Sequence, residues 1–158
     1  MPMFMPKNIT GFAVVGLGGT FDHLHAGHER LLEIAFRIGK KVAVGLATDA
    51  LLGGKQFKEN LQSYDQREAG LREYAKRIGR AKDLVIIPLE DPVGPAGTDP
   101  SIEAHVSSEE TFSSAQKINE IRIANSLKPL ILVMIPMVLK ENGERYSSTT
   151  IRESLAEP

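Results

Sequence analysis

The sequence predicts an α/β fold of three layers, a central parallel five-stranded sheet with helices on both faces. Three observations carry that expectation. Strand-like and helix-like patterns alternate along the chain. The strand segments FAVVGL (12–17), KVAVGLAT (41–48), DLVIIPL (83–89) and LILVMIPMVL (from Leu130) are apolar almost throughout, as strands covered on both faces are. The segments between them place apolar residues at helical spacing, and strand–helix–strand order of this kind builds a parallel sheet.

Each element has its own signal. Residues 12–17 read as the first buried strand. In 28–38, HERLLEIAFRI, residues Leu31, Leu32, Ile34, Ala35 and Ile38 share one helical face, His28 opens the helix and Gly39 ends it. Residues 41–48 are the second strand. DQREAGLREYAKRIG, 65–79, reads as an amphipathic helix whose charges form a solvated face. DLVIIPL is the third strand, and DPVGPAGTDP (91–100), with three prolines and two glycines, is a loop. EAHVSS, 103–108, reads as a short fourth strand. Residues 113–127 read as a helix opened by a capping box of Ser113 with Gln116. LILVMIPMVL is the fifth strand, ENGERYSS a loop, and STTIRESL a last short helix capped by Ser147 or Ser148.

Composition narrows the function classes. A chain of 158 residues buries a core of its own and reads as one domain over 1–158. Its net charge of −1 argues against binding long nucleic acids through a basic field. It has no cysteine, which excludes disulfides, thiolate-bound zinc and cysteine catalysis. The opening MPMFMPKNIT lacks the apolar run of a signal peptide, and LILVMIPMVL is too short to cross a membrane. The expected location is the cytoplasm.

The chemistry concentrates in GGTFDHLHAGHERLL, 18–32. It follows the first strand, where open α/β sheets place their ligands. Gly18 and Gly19 bare the backbone for close approach, and Thr20 adds a hydroxyl and an N–H. His25 and His28 are three apart, hence on one helical face, with Gly27 between them. A helix N-terminus beside them attracts anions. Together these features fit a substrate bearing phosphate. His23 reads as a capping or packing residue. Three histidines could also ligate a metal, but a metal usually takes a carboxylate or further ligand at defined spacing and the glycine-rich flanks favour phosphate, so no metal ligand is assigned. Gly16-Leu-Gly18-Gly19, with Asp49 after strand two, approaches a dinucleotide fingerprint, but its third glycine falls on Phe21.

His25-Ala26-Gly27-His28, together with Ser147-Ser148-Thr149-Thr150-Ile151-Arg152, resembles the HxGH and SSTxIR motifs of the nucleotidyltransferase superfamily. Adding TDALLGGKQF, YDQR, DPVGPAGTDP and VSSEETFSSAQKINEIR, the chain over roughly 12–155 is similar to phosphopantetheine adenylyltransferases of archaeal and eukaryotic type. The resemblance implies a Rossmann-like fold. It implies direct attack of 4′-phosphopantetheine on ATP, with Mg²⁺, giving dephospho-coenzyme A and pyrophosphate. By resemblance Thr20 and Lys55 hold the acceptor phosphate, and His25 and His28 bind the ATP phosphates, His28 nearest the transition state. Gly18, Gly19, Thr20, Phe21 and Gly27 join that ATP site, and Ser147, Ser148, Thr149 and Arg152 hold the triphosphate. Lys55 follows LLGG and is favoured over Lys58; Arg122 lacks an orienting argument, and Tyr146 stands where the motif usually has an aliphatic residue.

Two other classes stay open at this point: transfer to another phosphate acceptor, such as nicotinamide mononucleotide, FMN or glycerol phosphate, and a nucleotide-binding module without catalysis. The apolar residues Ala50, Leu51, Leu52, Phe57 and Leu61 beside Lys55 could wall a groove for the pantetheine arm. No phosphate-binding G-x-x-x-x-G-K-[ST] loop follows, so the reaction is expected to stop at dephospho-coenzyme A. The expected assembly is a monomer or small homo-oligomer.

Overall fold

The computed structural model describes residues 11–53 and 60–136. Lys55, Phe57, Lys58 and the run Ser147–Arg152 lie outside the described residues, as do the rest of the fifth apolar segment, the ENGERYSS loop and the last helix expected from the sequence.

Five strands, β1 (Phe12–Gly19), β2 (Gly39–Ala47), β3 (Leu84–Leu89), β4 (Ala104–Ser108) and β5 (Ile131–Ile135), form one sheet in the order β3-β2-β1-β4-β5. Every neighbouring pair is parallel. Three helices, α1 (Ala26–Ile38), α2 (Tyr64–Arg77) and α3 (Phe112–Ala124), connect them, so the three-layer α/β expectation holds. The chain moves outward from β1 to β3, then crosses back to place β4 on the other side of β1. The reversal of strand order falls between β1 and β4, and a crevice opens there at the carboxyl ends of the strands.

Residues alternate between the two faces of each strand, which divides the core in two. Val15 and Leu17 of β1, Val42, Val44 and Leu46 of β2, and Ala104 and Val106 of β4 pack with Leu32, Ala35 and Phe36 of α1 and Leu71, Tyr74 and Ala75 of α2. Each fully buried Val or Leu contributes about 1.5–3 kcal/mol. The opposite face is thinner: Ile118 of α3 packs with Ala96, Ile102 and Leu130. On that face β1 and β2 present Gly16, Gly18 and Gly45 instead of bulky side chains.

Several local expectations are corrected. α1 begins at Ala26, with His25 as its N-cap, so His28 sits in the first turn rather than opening the helix. Gly39 ends α1 but has φ −116, so it continues directly into β2. Ser113 does not cap α3. Its N-cap is Thr111, with no side-chain cap bond, because the Thr111 hydroxyl accepts the Ser108 N–H at 3.2 Å instead. A capping box does form at α2, where Ser63 and Gln66 exchange side-chain bonds with each other's backbone N–H.

The largest correction concerns charged helix residues. Arg67 of α2, expected on a solvated face, is buried, and so is Arg122 of α3. Arg122 Nε donates to Lys128 O at 2.8 Å, Nη1 to Ala96 O at 2.8 Å and Asp99 O at 2.9 Å, and Nη2 to Ile102 O at 3.3 Å. It fastens the 92–102 loop to α3, a structural role.

Removing that guanidinium strands four carbonyls, two of those bonds being fully buried. Arg122→Met should lower unfolding stability by about 3 kcal/mol or more. Arg72→Ala, which breaks only an exposed 3.5 Å pair with Glu68, should cost under about 0.5 kcal/mol. Urea titration of both variants measures the contrast, and similar losses would refute the account.

Candidate active site at the end of the first strand

Six residues, Thr20 to His25, turn the chain from β1 into α1. Phe21 and His23 take φ of 50° and 47°, a left-handed region costly for residues with a side chain. Specific contacts hold them there. The Phe21 ring is buried, 3.5 Å from the space a Cβ on Gly19 would fill and 5.4 Å between centroids from the His28 ring. Any contact of Phe21 with a nucleotide therefore runs through its backbone. The wholly buried Asp22 accepts the Gln62 N–H at 2.8 Å. The His23 N–H donates to Gln62 Oε1 at 2.9 Å, and its Nε2 pairs with Asn60 O at 2.7 Å. Asp22 and His23 thus clamp the turn to segment 60–62, the packing role expected of His23.

Arg67 completes the clamp. Its Nη1 donates to Thr20 O at 3.0 Å and Ala47 O at 2.7 Å, its Nε to Gln62 O at 3.1 Å, and its Nη2 to Asp49 at 2.9 Å. One buried cation joins the ends of β1 and β2 and the entry to α2. Asp49, which a dinucleotide reading would give to a ribose, is this arginine's counter-ion.

The two histidines are held by the helix they begin. His25 Nδ1 accepts the Gly27 N–H at 3.0 Å, and His28 Nδ1 accepts the His25 N–H at 3.3 Å. The two rings stack with centroids 3.8 Å apart. A neutral imidazole whose Nδ1 accepts carries its proton on Nε2. Capping therefore sets the same tautomer in both rings, with an Nε2–H donor on each beside a helix N-terminus that favours anions.

The structure brings Gly18, Gly19, Thr20, Phe21, His25, Gly27 and His28 together in this turn, while Lys55, Ser147, Ser148, Thr149 and Arg152 lie outside the described residues. A cavity of about 190 Å³ lies over the opposite face of the sheet, and of these residues Gly18 and Gly19 line it. Gly16, Gly18 and Gly45 form its floor, and Leu89, Val93, Pro95, Ile102 and Ile118 are among its walls. The glycines make the room: a Cβ on Gly16 would stand 3.3 Å from Ile102, and one on Gly45 3.1 Å from Leu89. Ala50, Leu51, Leu52 and Leu61, expected to wall a groove, do not line this cavity.

His105, which the sequence reading passed over, lines it. It is 9% exposed, its Nδ1 has no hydrogen-bond partner, and burial pushes its pKa down to about 4. The signal was a histidine between Ala104 and Val106 in a strand, where alternation places it on the opposite face from those core residues. Asp22 and Arg67, also absent from the expected site, had weaker signals, since a lone charged residue defaults to solvent. Among the described residues no group of three or more His, Asp or Glu could hold a metal ion.

The cytidylyltransferase-like family model matches residues 17–154. The phosphopantetheine adenylyltransferase of Methanopyrus kandleri is 36% identical over 146 residues, covering 92% of each chain. That of Pyrobaculum aerophilum is 38% identical over 148 residues, covering 93% of this chain and 94% of its own. The Saccharomyces cerevisiae protein of the same name is 37% identical over 155 residues, and this chain matches 51% of its length. Among solved structures, a protein of unknown function from Archaeoglobus fulgidus superposes with a TM-score of 0.69 at 24% identity, over 84% of this chain and 98% of that one. Pantothenate synthetase from Thermus thermophilus superposes with a TM-score of 0.59 at 18% identity, over 91% of this chain and 63% of that one. These two show a shared fold.

The buried imidazole makes stability depend on acid. The unfolded chain binds a proton at His105 near pH 6.5, the folded protein only near pH 4. The unfolded state therefore holds more protons between those values, and stability falls as pH drops through that window. The loss is on the order of 3 kcal/mol below pH 4 and absent above pH 6.5. His105→Leu should remove this component and, by deleting an unpaired buried nitrogen, be no less stable at pH 7. Urea unfolding of both proteins at pH 7 and pH 4 tests this; equal acid losses would contradict it.

Proposed function

We propose that this chain, which belongs to the cytidylyltransferase-like family and within it to the phosphopantetheine adenylyltransferases, transfers the adenylyl group of ATP to 4′-phosphopantetheine in coenzyme A biosynthesis. The products are dephospho-coenzyme A and pyrophosphate. The observation that carries the mechanism is the pair of capped histidines, two stacked rings each holding its proton on Nε2 at the mouth of a helix.

The reaction asks for position more than for proton transfer. A phosphomonoester has a second pKa of about 6, so at neutral pH it is already a nucleophilic dianion and needs no general base. Its oxygen bonds to the α-phosphorus as the bond from that phosphorus to the bridging oxygen of pyrophosphate breaks. Charge gathers on the equatorial oxygens. The Nε2–H groups of His25 and His28 donate to those oxygens, and the N-terminus of α1 adds its partial positive charge. The rigid clamp of Asp22, His23 and Arg67 fixes the turn that carries them.

Thr20, with Lys55, holds the acceptor phosphate; Gly18, Gly19, Gly27 and the backbone of Phe21 complete the nucleotide contacts, and Ser147, Ser148, Thr149 and Arg152 hold the triphosphate. Mg²⁺ enters as the counter-ion carried by the ATP phosphates, and no step is assigned to it. The cavity beyond the turn, mostly apolar and floored by backbone, suits the long uncharged arm of the acceptor. Flat rings such as nicotinamide or flavin call for aromatic walls, and none of the residues lining it is Phe, Tyr or Trp. The same reading places the protein in the cytoplasm, as a monomer or small homo-oligomer. Among the described residues no helix is long and apolar enough to cross a membrane.

An ATP-dependent pyrophosphate-release assay over a panel of acceptors tests the reaction. 4′-Phosphopantetheine should give the highest kcat/KM; equal or better use of nicotinamide mononucleotide, FMN or glycerol phosphate would falsify the assignment. In the same assay His28→Ala should lower kcat by roughly 10²–10³-fold. His25→Asn separates capping from chemistry, because Asn caps helices well but lacks the Nε2–H. It should keep wild-type stability while kcat falls, whereas His25→Ala should lose both, about 1 kcal/mol of stability included. Full activity in His25→Asn would leave His25 only its cap.

A further inference from the structure

The α3 face of β4 carries two polar side chains, each with a buried atom that no described residue bonds. His105 Nδ1 and Ser107 Oγ are both buried without a hydrogen-bond partner. Buried polar atoms left unpaired destabilise a fold, and exceptions ask for an explanation. The described core offers apolar residues at equivalent depth on the same side of the sheet, Ile102 and Ile118 among them. His105 and Ser107 are two residues apart on one strand, hence on one face and about 6.6 Å apart.

That face is the one with the glycine floor. His105 stands opposite Gly16 in the register of β1 and β4, and it lines the cavity at its inner end. Its Cδ2 lies 3.8 Å from where a Cβ on Gly16 would be. A half-turn of the ring exchanges Cδ2 with Nδ1 at no change in shape, which brings a nitrogen to the cavity floor.

We propose that His105, assisted by Ser107, determines acceptor specificity by hydrogen-bonding the amide groups of the acceptor's arm at the inner end of this cavity. The inference rests on 4′-phosphopantetheine being the acceptor. A neutral imidazole has one N–H donor and one acceptor nitrogen, the complement of a secondary amide. Burial, which holds the His105 pKa down to about 4, keeps the ring in that form at neutral pH. The lengths agree as well. From Gly16 to Thr20 the chain advances four residues, about 13 Å along a strand. From the phosphorus of the acceptor to its distal amide there are ten bonds, about 12 Å when extended at the per-bond advance of a polypeptide. The two amides of the arm are four bonds apart, about 5 Å, near the spacing of Ser107 and His105. A phosphate at Thr20 thus places the distal amide at His105, which lines the cavity, and the proximal one nearer Ser107, which is buried on the same face and is not among the cavity's lining residues.

The test uses steady-state kinetics of the full chain with two acceptors, 4′-phosphopantetheine and an analogue whose distal amide is replaced by two methylenes. His105→Leu should raise the KM for 4′-phosphopantetheine about tenfold while moving the KM for ATP less than twofold. Wild type and His105→Leu should handle the analogue alike, because its contact is already gone. Ser107→Ala should raise the acceptor KM several-fold. A merely structural role would penalise both acceptors equally. Nitrogen-15 spectra of labelled wild type give a readout independent of variants: saturation with 4′-phosphopantetheine should shift the His105 imidazole resonances. An active wild type with an acceptor KM unmoved by His105→Leu, equal losses on both acceptors, or unshifted imidazole resonances would overturn the contact alone. A wild type that does not turn over 4′-phosphopantetheine would overturn both the contact and the reaction it serves.

Discussion

The guanidinium of Arg67 is the interaction on which the site depends. β1 and β2 end side by side, and the chain leaves each in a different direction. Backbone carbonyls at those ends, Thr20 O and Ala47 O, face the same buried point, and Arg67 answers both from α2, together with Gln62 O. A lysine offers a single charged nitrogen and could not meet three carbonyls in this geometry. Since the turn that begins at Thr20 contains two residues at positive φ, it needs such external fastening to stay in one conformation. The histidines follow at once on that turn, so their positions inherit its rigidity.

The same device recurs on the far side of the sheet. Arg122 satisfies carbonyls of the 92–102 loop and the segment after α3, and that loop supplies Pro92, Val93, Pro95, Ala96 and Ile102 to the cavity. Each arginine fixes one flank of the candidate site: Arg67 the turn that leads into the two histidines, Arg122 the loop that encloses the apolar space. Loops rich in proline and glycine make little regular hydrogen bonding of their own. A buried cation that collects their carbonyls replaces it.

Much of this architecture was legible in the sequence because periodicity and motif report on different physics. Apolar runs marked four of the five strands, and 3.6-residue spacing marked α1, since burial alone decides those patterns. The glycines and histidines after β1 pointed to that end of the sheet as the candidate site. What stayed hidden was pairing at a distance. Nothing near Arg67 in sequence shows that Thr20 and Ala47 present carbonyls to it, and an arginine on a helix defaults to solvent. The N-cap position of α3 is Thr111 and not Ser113, and the Thr111 hydroxyl accepts from Ser108 instead of capping the helix, a competition that spacing cannot rank. The groove expected beside Lys55 was sought among large apolar residues, whereas the cavity observed here exists because Gly16, Gly18 and Gly45 lack side chains. Absence of volume is harder to read than its presence.

The proposed reaction uses imidazole as a neutral group, and the fold favours that form in two ways. At the start of α1, His25 and His28 each spend Nδ1 on a backbone N–H, and protonating that nitrogen would cost a helix cap. At the inner end, burial holds the pKa of His105 near 4. A phosphate dianion that is already nucleophilic gains nothing from an acid–base pair, but its transition state gains from donors fixed in direction, and an amide-bearing arm gains from a group that both donates and accepts. Neutral histidine meets both needs; lysine or arginine would bring donors only. Arg67 and Arg122 are spent on backbone carbonyls behind the proposed site, which leaves the phosphate charge to the cations proposed for it, Lys55 and Arg152, and the directed hydrogen bonds to neutral rings.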